Sequence, residues 1–285
     1  MNAILKNVFI EDAFPGAALA VISTPRGLVL IDAPPSPEDA RAWRASLMHV
    51  SGGMERALVN LDAHPDRTIG ARAMDCTIIA QERTAQIFRT RPLTFKAQGD
   101  ETGSDWEAIP GLGSIRWAPP EITFTDRLVL HWSESPIVLE HRPGPAAGAI
   151  WAVLPDEKVV FVGDAVMKNQ PPFFAGANLP KWIEMVNLLL GPHFKGYTVV
   201  SSRGGVVSPA VIKAQLDFLK YARERLDKLG ARKARPEQTE KLIEPMLKKL
   251  KFPASRHKQF AQRLRHGLQH FYARRYHAGG RREDD

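Results

Sequence analysis

The stretch LVNLDAHPDRTIGA (Leu58–Ala71) places three potential metal ligands directly after an apolar run. Asp62, His64 and Asp66 alternate along the chain, and Arg67 follows them at once. Carboxylate and imidazole side chains at this spacing after a buried strand are typical of a metal-binding loop. Arginine does not ligate metals, because its guanidinium group stays cationic. The stretch therefore predicts either a metal site or a loop that has lost one.

Strands and helices alternate on both sides of this loop. Two apolar runs at 17–24 and 28–33 are joined by a Pro-Arg-Gly turn and predict a strand pair. Ser36 precedes Pro37 and two acids, which is the pattern of a helix N-terminus. Further along, the sequence predicts a strand at 55–61, a short helix at 68–75, a strand at 76–81 and a helix at 82–90. This order is typical of an α/β protein.

The second half of the chain changes its pattern after a polar segment at 95–125, which is predicted to be a long loop. Strands are predicted within 122–132, 136–144, 148–166 and 197–205, and a helix at 180–191. From Ser208 onward the pattern is entirely helical, and the last residues, 278–285, are predicted to fray.

Composition excludes several classes of protein. The single cysteine, Cys76, rules out a disulfide framework and a cysteine-based zinc site. No run of about 18 apolar residues is present, so no membrane span is predicted. The N-terminal segment lacks the pattern of a signal peptide, and a cytoplasmic location is therefore expected.

Positive charge is concentrated in the last quarter of the chain. Residues 207–285 carry 20 Lys and Arg against 9 Asp and Glu, whereas residues 1–206 carry 19 against 22. We predict a first domain at 1–206 and a basic helical region at 207–285. Its basic side chains could contact phosphates of a nucleic acid. Its apolar stripes, which include Phe260, Leu264 and Leu268, instead favour packing on the first domain or in a homodimer.

Five segments indicate a particular fold within the α/β class. They are GLVLIDAP (27–34), DAHPDRTIG (62–70), RPGPAAGAI (142–150), VVFVGDAV (159–166) and SSRGG (201–205). Their content and order resemble the motifs of the metallo-β-lactamase superfamily. The resemblance implies an αββα sandwich, in which two mixed β-sheets are flanked by helices, with a C-terminal helical extension. It also implies that loops at one edge of the sandwich carry the metal ligands.

The resemblance assigns three ligand positions of that family to residues that cannot bind a metal ion, namely Arg67, Pro145 and Arg203. The first metal position falls on Asp62, His64 and Pro145, and the second on Asp66, Arg67 and Arg203. The bridging aspartate is retained, as Asp164. A zinc ion needs several neutral or anionic donors at about 2 Å. Proline offers no such donor and arginine repels the ion.

Two expectations follow for these positions. Arg67 and Arg203 are expected to replace the second metal ion by pairing with carboxylates, and with Asp66 they are the candidate catalytic residues. Asp62, His64 and Asp164 form a candidate site for at most one divalent ion, which would be zinc, manganese or iron. A salt-bridge cluster without metal is the alternative.

The segment after Asp164 supplies candidate pocket residues. Phe173, Phe174 and Trp182 either line an apolar wall of a ligand pocket or anchor a long loop to the core. The sequence therefore predicts a hydrolase-like protein with a degenerate metal site, and leaves open whether it is an enzyme. The alternative is a metal-free, non-catalytic relative that binds an anionic small molecule, a nucleic acid or a protein partner.

Overall fold

The computed structural model describes residues 1–96 and 101–277. Its strands are β1 Asn2–Leu5, β2 Val8–Glu11, β3 Leu19–Ser23, β4 Gly27–Ile31, β5 Glu55–Val59, β6 Thr77–Gln81, β7 Thr94–Phe95, β8 Ile115–Arg116, β9 Ile122–Phe124, β10 Arg127–Leu130, β11 Ile137–His141, β12 Ile150–Leu154, β13 Val159–Phe161, β14 Thr198–Ser201 and β15 Gly205–Val207. Its α-helices are α1 Pro37–Ser46, α2 Glu82–Thr90, α3 Leu179–Leu190, α4 Pro209–Ala231, α5 Ile243–Leu247 and α6 His257–Tyr272.

The strands form two large mixed sheets. The first has the order β1-β2-β3-β4-β5-β6-β9, with parallel pairing from β4 to β9. The second has the order β10-β11-β12-β13-β14-β15, in which only β13 and β14 pair in parallel. In each sheet, parallel strands therefore end at a common edge, where loops can bring side chains together.

Apolar side chains from both sheets meet in a continuous core. Val29 and Val59 of the first sheet pack in one cluster with Leu139, Ile150 and Phe161 of the second. Strands buried on both faces read as unbroken apolar runs, which is why β4 and β12 lack polar alternation.

Helices cover the outer face of each sheet. Trp43 of α1 packs with Leu28 and Leu30 behind the first sheet, and Ser36 caps this helix by accepting a hydrogen bond from the Asp39 backbone. Helices α3 to α6 bury their apolar sides in one cluster behind the second sheet, which also contains Trp151 and Val160. The predicted αββα sandwich with a C-terminal helical extension is confirmed.

The C-terminal helices bury their apolar stripes within their own chain. Phe260, Leu264, Leu268 and Phe271 of α6 are each at most 3% exposed. Gly267 lets α6 approach the loop before α3, because a β-carbon there would lie 3.0 Å from the Phe174 nitrogen. The same core cluster takes residues from both sides of the proposed boundary at 206, and the division into two domains stays a prediction.

One detail differs from the sequence-based expectation. The segment predicted as one loop at 95–125 contains strands of the antiparallel pair β7–β8 and a 3₁₀ turn at Trp106–Ala108, while β9, at the edge of the first sheet, falls within the strand predicted at 122–132. Paired aromatic rings of Phe95, Trp106 and Trp117 fold this segment onto α2. The predicted frayed end at 278–285 lies outside the described residues. Within the described residues, no helix combines the length and apolarity that crossing a bilayer requires.

Candidate functional site

Four charged residues of the site follow the carboxyl ends of parallel strands. Asp32 comes directly after β4 and Asp62 lies three residues after β5, while Asp164 and Arg203 follow β13 and β14. Because each pair of strands is parallel, these four positions meet at one edge of the sandwich. Asp32 and Gly163 adopt left-handed backbone conformations, with φ of 59° and 58°, which turn the chain sharply as it leaves each sheet.

The opening loop supplies the remaining candidates through a short 3₁₀ turn, Pro65–Arg67. His64 caps this turn, because its Nδ1 accepts a hydrogen bond from the Asp66 backbone nitrogen at 3.3 Å. The turn directs both Asp66 and Arg67 inward, and each is 0% exposed. The alternation of Asp62, His64 and Asp66 in the sequence thus leads into a tight 3₁₀ turn and does not reflect the alternating faces of a strand.

Arg67 lies at the centre of the carboxylates from the sandwich loops. Its Nη2 is 2.5 Å from Asp164 Oδ2 and 3.2 Å from Asp62 Oδ2, and its Nε is 3.0 Å from Asp62 Oδ1. Its Nη1 is 3.8 Å from Asp32 Oδ2. These carboxylates raise the pKa of Arg67, despite the opposing effect of burial, so the guanidinium is permanently charged.

Arg203 pairs with a second set of acids. Its Nη2 is 2.8 Å from Asp66 Oδ2, its Nε is 3.0 Å from Asp164 Oδ1, and its Nη1 is 3.0 Å from Asp105 Oδ2. One face of the guanidinium lies 4.6 Å from the ring centroid of Phe173. The side chain of Arg203 is 0% exposed and its charge is distributed over three carboxylates.

Asp164 joins the two arginines, because Arg67 contacts one of its oxygens and Arg203 the other. Burial alone would raise the pKa of this carboxyl, but the two guanidinium groups lower it well below its usual range. Asp62 and Asp66 differ, since burial raises the pKa of each more than their arginine partners lower it. Burial likewise raises the pKa of Asp32 to about 7.

Two buried charged residues of the site, Asp105 and Arg263, were not among the site residues predicted from the sequence. Asp105 contacts Arg203 and Arg256, and its Oδ2 is 3.3 Å from Arg263 Nη2. These three arginines hold the pKa of Asp105 below its usual range despite burial. Arg263 is 0% exposed, so it is not one of the solvent-facing residues that a nucleic acid could reach. Its position three residues after Phe260 and four before Gly267, inside the apolar stripe of α6, was a signal of burial.

His64 presents a defined tautomer to its surroundings. Its Nδ1 receives hydrogen bonds from Arg203 Nη2 at 3.2 Å and from the Asp66 backbone nitrogen. Burial and the nearby Arg203 lower the pKa of His64 well below its usual value, so the ring is neutral. Because Nδ1 is the acceptor, the proton of the neutral ring is on Nε2. Nε2 is therefore a hydrogen-bond donor and has no lone pair for a metal ion.

The residues at the candidate metal position do not fit a divalent ion. Asp62 and Asp164 direct their oxygens at Arg67, which occupies the place between them. Within residues 1–96 and 101–277, no group of three or more His, Cys, Asp or Glu side chains has an arrangement that could hold a metal. Pro145 lines the adjacent cavity and offers no donor.

A cavity of about 260 Å³ opens beside this charged cluster. Asp62, His64 and Asp164 line it on one side, and α6 contributes Arg263 and His266 on another. The three predicted pocket residues, Phe173, Phe174 and Trp182, all lie along its wall.

These aromatic residues also anchor the loop to the core, and their role in binding a ligand stays a prediction. Phe174 and Trp182 are 0% exposed, and the Trp182 indole donates a hydrogen bond to the Ala165 carbonyl at 2.8 Å. Phe173 is only partly buried, and its ring centroid lies 4.5 Å from that of His64. Phe173 is thus the member of the three with surface available to a ligand.

Comparisons with solved structures agree on the fold. A metallo-beta-lactamase from Pontibacter korlensis is 19% identical with a TM-score of 0.59, over 77% of this chain and 97% of that one. A metallo-beta-lactamase family protein from Thermus thermophilus is 16% identical with a TM-score of 0.63, over 95% of this chain and 94% of that one.

The stereoselective inverting sec-alkylsulfatase from Pseudomonas sp. is 15% identical with a TM-score of 0.64, and 95% of this chain covers 49% of it. The present chain thus spans about half the length of that enzyme. No curated protein matches the sequence. The sequence profile of the metallo-beta-lactamase superfamily matches residues 13–202, and together with the sandwich this establishes that the chain belongs to that superfamily.

Proposed function

We propose that this protein binds a small molecule in the cavity beside Asp62, His64 and Asp164, and that it does so without a metal ion. It would then be a hydrolase-like fold with a degenerate site, in which arginines carry the positive charge that metal ions carry in its relatives. Members of the superfamily typically bind zinc. Of the two functions expected from the sequence, the geometry favours the metal-free relative over a single-metal hydrolase.

One observation carries this proposal. Both oxygens of Asp164, the bridging position of the family motif, lie against guanidinium groups, at 2.5 Å from Arg67 and 3.0 Å from Arg203. A divalent ion could reach Asp164 only by displacing an arginine that is itself 0% exposed. The displaced guanidinium would stay close to the ion and would repel it. Each of these contacts joins a guanidinium group to a carboxylate, and such charge-assisted pairs are stronger than neutral hydrogen bonds.

Elemental analysis of protein purified without chelators tests the proposal. We expect no stoichiometric zinc, manganese or iron, either in the protein as purified or after dialysis against each metal. One equivalent of metal that is lost in both Asp62→Ala and Asp164→Ala would establish the single-metal site instead.

A variant with restored histidines provides the positive control. Asp62→His, Arg67→His, Pro145→His and Arg203→His together place the family's ligand type back at four positions. Zinc binding by this variant would indicate that the loops have kept the shape of a metal site. Its failure to bind, with the fold intact, would mean that the loops have also changed.

Three further expectations remain proposals. A homodimer through the C-terminal helices can be tested by light scattering, and a cytoplasmic location by fractionation of cells. Nucleic-acid binding by the basic helices predicts salt-dependent retention on DNA or RNA. Some of these basic residues already have partners, since Arg265 pairs with Glu240 and Arg274 donates a hydrogen bond to the Ala177 carbonyl.

A further inference from the structure

Arg91 is a cation of the cavity wall that differs from those in the charged cluster. It lies directly after α2, and its backbone nitrogen closes that helix by donating to the Ile87 carbonyl. Its Nη2 donates a hydrogen bond to the Ala63 carbonyl at 2.7 Å, and this contact fixes the guanidinium beside the opening loop. The side chain also lies over the ring of Trp117, at 4.4 Å from the centroid.

No carboxylate in the described part of the chain forms an ion pair with Arg91. By contrast, Arg67 and Arg203 are each surrounded by carboxylates, and Arg263 contacts Asp105. Arg91 Nη1 is buried and has no hydrogen-bond partner. Arg91 lines the cavity and is partly exposed, so a ligand can reach the cation there even though Nη1 itself is shielded. Burial lowers the pKa of Arg91 to about 10 although the charge of Asp62 opposes the shift, and at that value the side chain is cationic at neutral pH.

The rest of the cavity selects against a small, fully hydrated anion. Most of its wall is apolar, with Ile87, Trp106 and Phe173 among the lining residues. The carboxylates among its lining residues, Asp62 and Asp164, are already paired with Arg67 and would repel a second anion. A ligand with a charged end and an apolar body would match both parts of the wall.

We infer that the cavity binds an amphipathic organic acid, with its carboxylate on Arg91 and its apolar body along Phe173 and Trp106. This inference rests on the proposed function. Arg67 and Arg203 are 0% exposed at their side chains and are occupied by acids of the chain itself. Arg91 has no such partner and can give its charge to a ligand.

Calorimetric titration with matched probes tests this assignment. The probes are hexanoate, octanoate, decanoate and 2-naphthoate, each paired with the corresponding alcohol, which has a similar apolar body and no charge. We expect at least one acid to bind ~10-fold or more tightly than its alcohol, because a hydrogen bond to a charged group is worth about that factor or more. Equal binding of acid and alcohol would overturn the role of Arg91 and leave the proposed binding cavity standing. Binding of neither class would contradict the proposed function as well.

Variants at position 91 separate charge from shape. Arg91→Gln should remove the preference for the acid and leave affinity for the alcohol unchanged, whereas Arg91→Lys should keep part of the preference. Arg89→Gln is the matched control, because Arg89 is an exposed arginine on the same helix. Thermal melting of each variant verifies that it is folded. If folded Arg91→Gln retains the full preference for the acid, the assignment is wrong.

Discussion

The charged cluster has two halves that are built from different parts of the molecule. Arg67 contacts only acids of the sandwich loops, namely Asp32, Asp62 and Asp164. Arg203 also contacts Asp105, and through that carboxylate it is connected to Arg256 and Arg263 of the C-terminal region. The first half lies where we propose that an arginine replaces a metal ion, whereas the second connects this edge of the sandwich to the C-terminal helices.

The difference shows why the two arginines are not equivalent. Loss of Arg67 would leave Asp62 without an ion-pair partner among the described residues, but loss of Arg203 would leave Asp105 with two. The carboxylate of Asp62 in the first half therefore depends on one arginine, whereas Asp105 in the second half keeps two arginine partners when Arg203 is lost. The following experiments test this contrast, beginning with the largest expected effect.

Deletion of residues 231–285 should remove one side of the second half altogether. The deletion takes away α6, whose Phe260, Leu264, Leu268 and Phe271 are buried against the rest of the chain. It also uncovers the apolar surface around Phe174, and such surfaces promote association. We expect aggregated or larger species in size-exclusion chromatography. A shorter deletion, of 278–285 alone, is the control for loss of terminal charge.

The result of this deletion also distinguishes two uses of the basic helices. A truncated protein that keeps the oligomeric state and the solubility of the parent but no longer binds DNA or RNA would favour the nucleic-acid alternative. It would also mean that the second half of the cluster is dispensable for the fold.

Arg67→Ala should cause the largest loss of stability among the single substitutions. Removing one partner of a buried ion pair typically costs about 3–5 kcal/mol, because an uncompensated charge is left inside the protein. The free energy of unfolding from urea titration measures this loss. Arg44→Ala is the control, since Arg44 pairs with Asp75 on the surface, where such pairs are worth at most about 1 kcal/mol. Equal stabilities of Arg67→Ala and the parent would refute the idea that Arg67 replaces a metal ion.

Arg203→Ala should cost less, roughly 2–4 kcal/mol at neutral pH, because Asp164 and Asp105 retain other arginines. Asp66 would lose its arginine partner, although it keeps a hydrogen bond from the Trp106 backbone nitrogen at 2.7 Å. Burial already raises the pKa of Asp66, so this carboxyl should become protonated as the pH falls, and the cost of an unpaired buried charge should then disappear. The difference in unfolding free energy from the parent should therefore shrink toward acidic pH. A difference that stays constant from neutral to acidic pH would contradict this role of Asp66.

The sequence predicted the first half of the cluster far better than the second. Asp62, Arg67 and Asp164 belong to motifs whose order fixes their place at the ends of particular strands, so their convergence follows from the fold. Asp105 lies in an acid-rich segment without periodicity, and no pattern indicated that it enters the core. Arg263 was one of many basic residues on amphipathic helices, and composition alone favoured solvent for all of them.

The protonation states were also beyond the sequence. Whether Asp164 or Asp62 has the lower pKa depends on how many guanidinium groups contact each carboxylate, since Asp164 contacts both Arg67 and Arg203 whereas Asp62 contacts Arg67 alone among the described residues. Likewise, the sequence identified His64 as a candidate ligand, but the hydrogen bonds to Nδ1 assign its proton to Nε2.

Asp32→Asn should give the effect with the clearest pH dependence. The folded pKa of Asp32 is about 7, raised by burial above the usual value of 3.8. The folded parent therefore binds an extra proton between these two values and loses stability as the pH rises through them, by at most about 1.4 kcal/mol per pH unit. Asparagine does not titrate, so the free energy of unfolding of the variant relative to that of the parent should increase as the pH rises over this range. Parallel pH profiles of the two proteins would show that Asp32 is ionised throughout.

The cations that organise Asp62 and Asp164 are part of the polypeptide, which has a consequence for how the protein matures. A metalloprotein must acquire its ion after synthesis, and the occupancy of its site depends on supply and on competition from other proteins. Arg67 and Arg203 are present in every copy from the moment of translation, at fixed stoichiometry, and cannot dissociate. Under the metal-free function that we propose, the loops of this edge reach their final arrangement as the chain folds, with no separate loading step.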